Sequence, residues 1–234
     1  MTKSQENIQY LFIAGCARSG TTALTRLLNH HPKLAIGVEL FNQEYNGKKS
    51  AFTPDLFLSR KFKSFLKREK KDQNKLKYLG DKFPAYYKDY GKIFDQFEEA
   101  KVLFIFRNIF DVSQSFKARM LDDESKWNKG PKRAVEEWNQ SLSLTLDAIN
   151  DGRNIIPISY EHTLFKPSGQ LTELLEVNYL KIFQTKYGSM TKVAKTLDRE
   201  RQNLLNNKEK AWIMEHSDFD SYKALLKLTK ARIS

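Results

Sequence analysis

A chain of 234 residues, 40% hydrophobic and 29% charged, has an ordinary folded-protein composition and can bury a core without disulfide or metal staples. One cysteine, Cys16, excludes an intrachain disulfide and a cysteine-rich zinc site, and no apolar run approaches the ~20 residues of a membrane-spanning helix. The polar start MTKSQENIQY lacks the apolar centre of a secretion signal, so the expectation is a single cytoplasmic domain over residues 1–234.

The first apolar stretch, YLFIAG (10–15), reads as a buried strand and leads through GCARSGTT into a helix with Ala23, Leu24, Leu27 and Leu28 on one face, ending near Pro32. Residues 59–77 carry nine basic and two acidic side chains. Phe57, Leu58, Phe62, Phe65 and Leu66 recur there at helical spacing, which predicts an amphipathic helix whose basic face is either solvated or a docking surface for an acidic acceptor or a membrane. LKYLG (76–80) is a second strand, followed by a helix across 88–99 striped with Tyr90, Ile93, Phe94 and Phe97. KVLFIF (101–106) is a third, with a helix running to about Leu121. Pro131 opens a long helix that Gly152 ends, and NIIPIS (154–159) is a fourth strand. After Pro167 come SGQLTELLEVNYL and mainly helical, charged sequence. Alternating strands and helices define an α/β fold, a P-loop-like parallel sheet flanked by helices. Ligands of such sheets bind at the carboxyl ends of the strands.

At the first strand end, Gly15 and Gly20 allow unusual backbone angles, and the amides of the turn and the helix N-terminus favour an anion. Ser19, Thr21 and Thr22 add hydroxyls, and the alternative is an ordinary capped strand-to-helix turn. A nucleoside-triphosphate loop has a lysine after its second glycine; Thr21 stands there, and the turn's cation is Arg18. At the third strand end, where triphosphatases often hold magnesium with an aspartate, stands Arg107, with Ser115 eight residues on. Both would serve an anion, or Arg107 would pair with Asp111. A nucleotide with several anionic groups and no need for a metal fits this set better than ATP with magnesium, so a small-molecule P-loop kinase is the weaker alternative. The +12 charge leaves open a non-catalytic nucleotide- or nucleic-acid-binding protein, although no zinc-finger spacing, aromatic RNA-binding consensus or repeat points to a specific nucleic acid.

These residues resemble the sulfotransferases that use 3′-phosphoadenosine 5′-phosphosulfate (PAPS). ARSGTT matches their loop x-[KR]-S-G-T-T. RNIFDVSQS is similar to R-[ND]-x-x-x-[DA]-x-x-S, sharing Arg107, Asn108 and Ser115 but with its aspartate, Asp111, one place before the [DA] position. ISYEHTLFKPSGQLTELLEVNYL is similar to their segment Y-E-D-L-x-x-x-P-x-x-x-L-x-x-[IL], so the resemblance runs from about Tyr10 to Leu180. It implies that Arg18, Ser19, Gly20, Thr21 and Thr22 hold the 5′-phosphosulfate, that Arg107 and Ser115 hold the 3′-phosphate, and that Tyr160 either contacts adenine or packs as a core aromatic. PAP, 3′,5′-adenosine diphosphate, would be the product, and no metal would be required.

On the acceptor side, HHPKLAIGVELFNQEY resembles the H-P-x-[VLI]…Glu segment of protein-tyrosine and heparan-type sulfotransferases, which implies Glu39 as general base. GDKFPAYY resembles their K-[TD]-P-[AF]-x-[YF], which implies Lys82 beside the sulfuryl group, with Tyr86 and Tyr87 lining the acceptor site or packing. His30 and His31 are weaker candidates for the base, with helix capping the alternative. Cys16 has no base in view for covalent catalysis. The late R-K-G-x-x-G loop of many relatives is missing, since no glycine follows Gly188; Lys208 or Lys210 would have to substitute. The expected acceptor is a carbohydrate, peptidyl or small-molecule hydroxyl, and a basic surface would suit an anionic one.

Overall fold

The computed structural model describes residues 8–122, 124, 127–163, 175, 192 and 203–231. In chain order the elements are β1 (Gln9–Ala14), α1 (Thr21–Asn29), β2 (Leu34–Val38), α2 (Asn42–Asn46), α3 (Arg60–Arg68), β3 (Tyr78–Lys82) and α4 (Tyr90–Phe94). Then follow β4 (Lys101–Phe106), α5 (Ile109–Met120), α6 (Pro131–Asn150), β5 (Ile155–Ser159) and α7 (Tyr160–Thr163). The described helices α8 (Asn207–His216) and α9 (Phe219–Ala231) come last. Every strand pairing is parallel, and the sheet order is β2-β3-β1-β4-β5.

Alternation along β1 builds the core on both faces of the sheet, because successive side chains point to opposite sides. Leu11 and Ile13 join Leu24, Leu27 and Leu28 of α1, while Phe12 and Ala14 join the opposite layer. In that layer the Phe12 ring meets those of Phe52, Phe57, Tyr86 and Phe97 at centroid distances of 4.8 to 6.4 Å. These edge-on and tilted aromatic contacts add to the area they bury.

The sequence reading found four strands; the fifth is β2, LAIGV, at the sheet edge. Pro32 just before it, a glycine inside it and its length of five residues conceal it as a loop. The strand read at 76–80 lies at Tyr78–Lys82. The helix expected from the pattern in 57–77 is confined to nine residues, Arg60–Arg68. Pro54 opens a separate 3-10 turn that buries Phe57 and leaves Leu58 exposed, and Ser59, in extended conformation, starts a new helix by accepting the Phe62 amide. The helix read over 88–99 is also shorter: Asp89 caps it at the Lys92 amide and it stops after Phe94, though Phe97 is still buried. The helices expected to reach Leu121 and to start at Pro131 are α5 and α6. SGQLTELLEVNYL lies outside the described residues apart from Leu175, which is buried.

Register aligns the strand ends. Val38 and Ile13 both lie opposite Lys82, Ala14 opposite Phe104, and Phe106 opposite Ser159. The side chains following β1, β2, β3 and β4 therefore emerge along one edge of the sheet. Among the described residues no helix is long and apolar enough to cross a membrane.

Candidate active site at the strand ends

The turn after β1 folds as an anion cradle. Arg18 at φ 68° and Gly20 at φ 98° are both left-handed, which curls successive amides to one side as in other anion-binding nests. Ser19 N donates to Cys16 O at 3.1 Å and closes the turn. Gly20 is required twice over: its φ is costly for a residue with a side chain, and an added Cβ would come within 2.5 Å of the Tyr160 ring. No side chain caps α1, and no acidic residue lies in its first turn. Its first amides are therefore left for water or a ligand. The Ser19 hydroxyl is buried, with the Cys16 thiol beside it and no oxygen or nitrogen partner among the described residues. A buried hydroxyl in that condition is costly unless something fills the cradle. Uncapped amides, a hydroxyl awaiting a partner and a cation at the rim fit a phosphate or sulfate group.

β4 delivers the second cation. Arg107 is buried; its guanidinium lies 4.2 Å from the centroid of the Tyr160 ring and 3.4 Å from Asp111. The expected Asp111 pair is thus present, and Tyr160 serves as a packing surface for both Arg107 and Gly20. The Arg107 carbonyl accepts from the Trp138 indole of α6 at 2.9 Å. Asn108 caps α5 by accepting the Phe110 amide. One turn and more along α5, Ser115 accepts from Arg18 Nε at 3.1 Å. That bond joins the two nucleotide motifs across 97 residues of sequence. Glu161, unread in the sequence, accepts the Asn108 amide at 2.7 Å and the Ser159 hydroxyl at 3.0 Å, fastening the end of β5 to the exit of β4. Its sequence signal was its place as the acidic residue of the Y-E-D-L segment, just past a strand end.

The other expected site residues stand at the ends of β2 and β3. Glu39, first residue after β2, stands at φ 57°, and its amide donates to Lys82 O at 2.7 Å. Its carboxylate is 2.6 Å from Lys82 Nζ; the lysine is 1% exposed and the glutamate 42%. The structure thus pairs the two residues from separate motifs. The next chain segment ties this pair to the cradle, since Phe83 N donates to Ile13 O and Gly15 N to Pro84 O, both at 3.2 Å. Tyr86 and Tyr87 are buried. Tyr86 donates to Asp81, an interior carboxylate that the sequence reading passed over. Burial pushes the Asp81 carboxyl up to about 6, against the opposing pull of the Leu40, Phe41, Tyr86 and Lys82 hydrogen bonds.

Two other candidates, His30 and His31, fall away from this edge. His30 closes the far end of α1, and His31, buried, accepts the Lys33 amide just before β2 begins. Both stand one strand length from Glu39. Cys16 is buried, and burial together with Glu137 pushes its thiol far up, so it stays protonated. Lys208 and Lys210 flank Glu209, which pairs with Lys117 of α5 at 2.7 Å; α8 packs on α5 and α6.

A parallel sheet in the order β2-β3-β1-β4-β5, with a glycine-bounded turn after its first strand and cations at its carboxyl edge, defines a P-loop-like fold. Residues 10–184 match the Sulfotransferase family, and the chain belongs to it. Three solved structures are similar in fold. The sulfotransferase domain from the curacin biosynthetic pathway matches at 17% identity and TM-score 0.52, covering 75% of this chain and 76% of that one. A sulfotransferase from Alicyclobacillus acidocaldarius matches at 17% and 0.50, covering 92% and 98%. One from Mycobacterium tuberculosis matches at 11% and 0.52, covering 85% and 77%. No curated protein matches the chain in sequence.

Proposed function

We propose that the chain, as one domain over residues 1–234, transfers the sulfuryl group of PAPS to an acceptor hydroxyl by direct in-line displacement. The observation that carries this reading is the Glu39–Lys82 pair, at 2.6 Å, on strand ends tied by backbone bonds to an anion cradle. PAPS, when bound, supplies an activated sulfuryl group on a 5′-phosphate and leaves as PAP.

Each residue then has a role set by its chemistry. The amides of the 15–22 turn and the Ser19, Thr21 and Thr22 hydroxyls hold the 5′ end. Arg107 and Ser115 hold the 3′-phosphate, and Tyr160 keeps Arg107 in place. Glu39 is the base that accepts the proton of the acceptor hydroxyl. Lys82 and Arg18 neutralise charge on the leaving oxygen, work that fixed cations in a water-poor site do well. The Lys82 ammonium has three donors, so it can hold Glu39 and still meet a phosphate oxygen. The acceptor is a carbohydrate, peptidyl or small-molecule hydroxyl. The half-exposed position of Glu39 supports this breadth, because it leaves the base open to a sizeable substrate.

Replacing Glu39 by Gln tests the reading. Transfer from labelled PAPS is expected to fall about 100-fold or more, the usual worth of a general base. Stabilisation by 3′,5′-adenosine diphosphate should persist. Full turnover in E39Q would remove Glu39 as the base.

A further inference from the structure

The residue that most directly shapes the Glu39 turn makes no contact with the nucleotide cradle. Glu39 holds a left-handed backbone at φ 57°, which a side-chain-bearing residue keeps only when its surroundings over-determine it. The two amides that follow it are both taken by one carboxylate. Leu40 N donates to Asp81 Oδ1 at 3.1 Å and Phe41 N to Asp81 Oδ2 at 3.2 Å. The Tyr86 hydroxyl donates to Oδ2 at 3.0 Å. Asp81 itself is fully buried.

The choice of residue is informative. Every group facing the Asp81 oxygens is a donor, so both oxygens must accept. Asparagine has the same shape but a single acceptor oxygen, and its NH₂ would confront an N–H. A buried carboxylate is costly to keep, and among the described residues no cation is paired with this one. Room for it has been made as well: Gly37 lies opposite Asp81 in the β2–β3 register, and a Cβ there would fall 2.5 Å from Asp81 Oδ1. Glycine inside an edge strand is otherwise unfavourable. Strand β3 thus uses consecutive residues on the same turn: Lys82 grips the Glu39 side chain, and Asp81 grips the backbone that follows it.

We infer that Asp81 is a positioning residue for the transfer reaction: by holding the Leu40 and Phe41 amides it fixes the turn that aims the Glu39 carboxylate at the acceptor hydroxyl. This rests on the reading of Glu39 as the base. Asp81 is fully buried and bonded to the Leu40 and Phe41 amides and Tyr86, so on this inference its effect on turnover is routed through Glu39.

The test compares the full-length wild type with D81N, G37A, Y86F, E39Q and D81N/E39Q. In D81N, hydrogen exchange at the Leu40 and Phe41 amides, read by NMR, should quicken about tenfold or more, with exchange in the 18–22 turn and the thermal shift with 3′,5′-adenosine diphosphate unchanged. G37A retains Asp81 but crowds Oδ1, so exchange should quicken at Leu40 more than at Phe41; this variant serves even where D81N fails to fold. Y86F leaves both amide bonds in place and should alter exchange less than about threefold. PAPS consumption with pooled carbohydrate, tyrosyl-peptide and phenol acceptors should fall about tenfold or more in D81N with the KM for PAPS unchanged. The double variant should match E39Q within about twofold, since residues acting through one another are non-additive. Unchanged exchange at Leu40 and Phe41 in both D81N and G37A would overturn the inference. So would losses that multiply in the double variant. Undiminished turnover in E39Q would instead sink the base assignment, and lack of any shift with the diphosphate would sink the donor assignment, each leaving its own mark.

Discussion

Arg107 and Glu39 stand on opposite flanks of β1 and are held in place by different means. Arg107 is fixed through side chains: an aromatic ring on one side, Asp111 on the other, and an indole bonded to its carbonyl. Glu39 is fixed through backbone: its own amide bonds to the Lys82 carbonyl and the next two to Asp81. The nucleotide flank is thus a rigid set of cations and donors, while the acceptor flank is a single strained turn under a buried carboxylate. On the proposed reading, the difference suits a protein that binds one fixed donor tightly while presenting a base to a larger partner.

On ligand affinity, breaking the nucleotide flank should have the largest effect. Arg107→Ala removes a buried cation, and charge-assisted bonds are worth about 1.5–3 kcal/mol. The affinity for 3′,5′-adenosine diphosphate should fall roughly 10- to 100-fold by calorimetry. Exchange at Leu40 and Phe41 should stay as in the wild type, because both amides are held by Asp81 and not by Arg107.

Ser19→Ala is the subtler cut on the same flank. It deletes a buried hydroxyl with no oxygen or nitrogen partner, so the ligand-free Tm should hold or rise slightly while diphosphate affinity drops about tenfold. A lowered Tm with intact affinity would make Ser19 purely structural. Gly20→Ala should cost more than about 1 kcal/mol of stability, because the new Cβ meets Tyr160 at 2.5 Å in a left-handed backbone; urea denaturation measures it.

The smallest effect, and a signed one, is the pH dependence of Asp81. The Asp81 carboxyl is raised from 3.8 to about 6, so the folded chain binds this proton more tightly than the unfolded chain. Linkage then requires this group's contribution to stability to rise as pH falls from about 6 toward 4, and to be lost as pH rises through about 6. The Tm of the wild type relative to D81N should therefore increase between pH 7 and pH 5. A difference that shrinks over that interval would contradict the assignment of the burial.

The residues proposed to hold the nucleotide could be named from the sequence because their type and fixed spacing suggest that chemistry. ARSGTT and RNIFDVSQS each name their residues, and the continuous apolar runs before them mark buried parallel strands. The Arg18–Ser115 bond was not legible, since it depends on how the loop rests against α5. On the acceptor flank, Glu39 and Lys82 could be picked out singly. Their direct pairing could not, because β2 is a five-residue edge strand interrupted by glycine and hidden behind Pro32. Without β2, nothing puts Val38 opposite Lys82 or explains why Asp81 would be buried. In the α3 region the apolar spacing was helical across a boundary, and only Ser59, an N-cap, betrayed that 3-10 turn and helix are separate.

The claim that the cradle serves PAPS chemistry is tested most directly by the thermal shift of the full chain with 3′,5′-adenosine diphosphate, set against ATP with magnesium. A ligand at about 100 times its Kd adds roughly 2.7 kcal/mol, several degrees in Tm for a chain of this size. The account predicts that rise with the diphosphate and little or none with ATP and magnesium. Stabilisation by ATP and magnesium alone would contradict it.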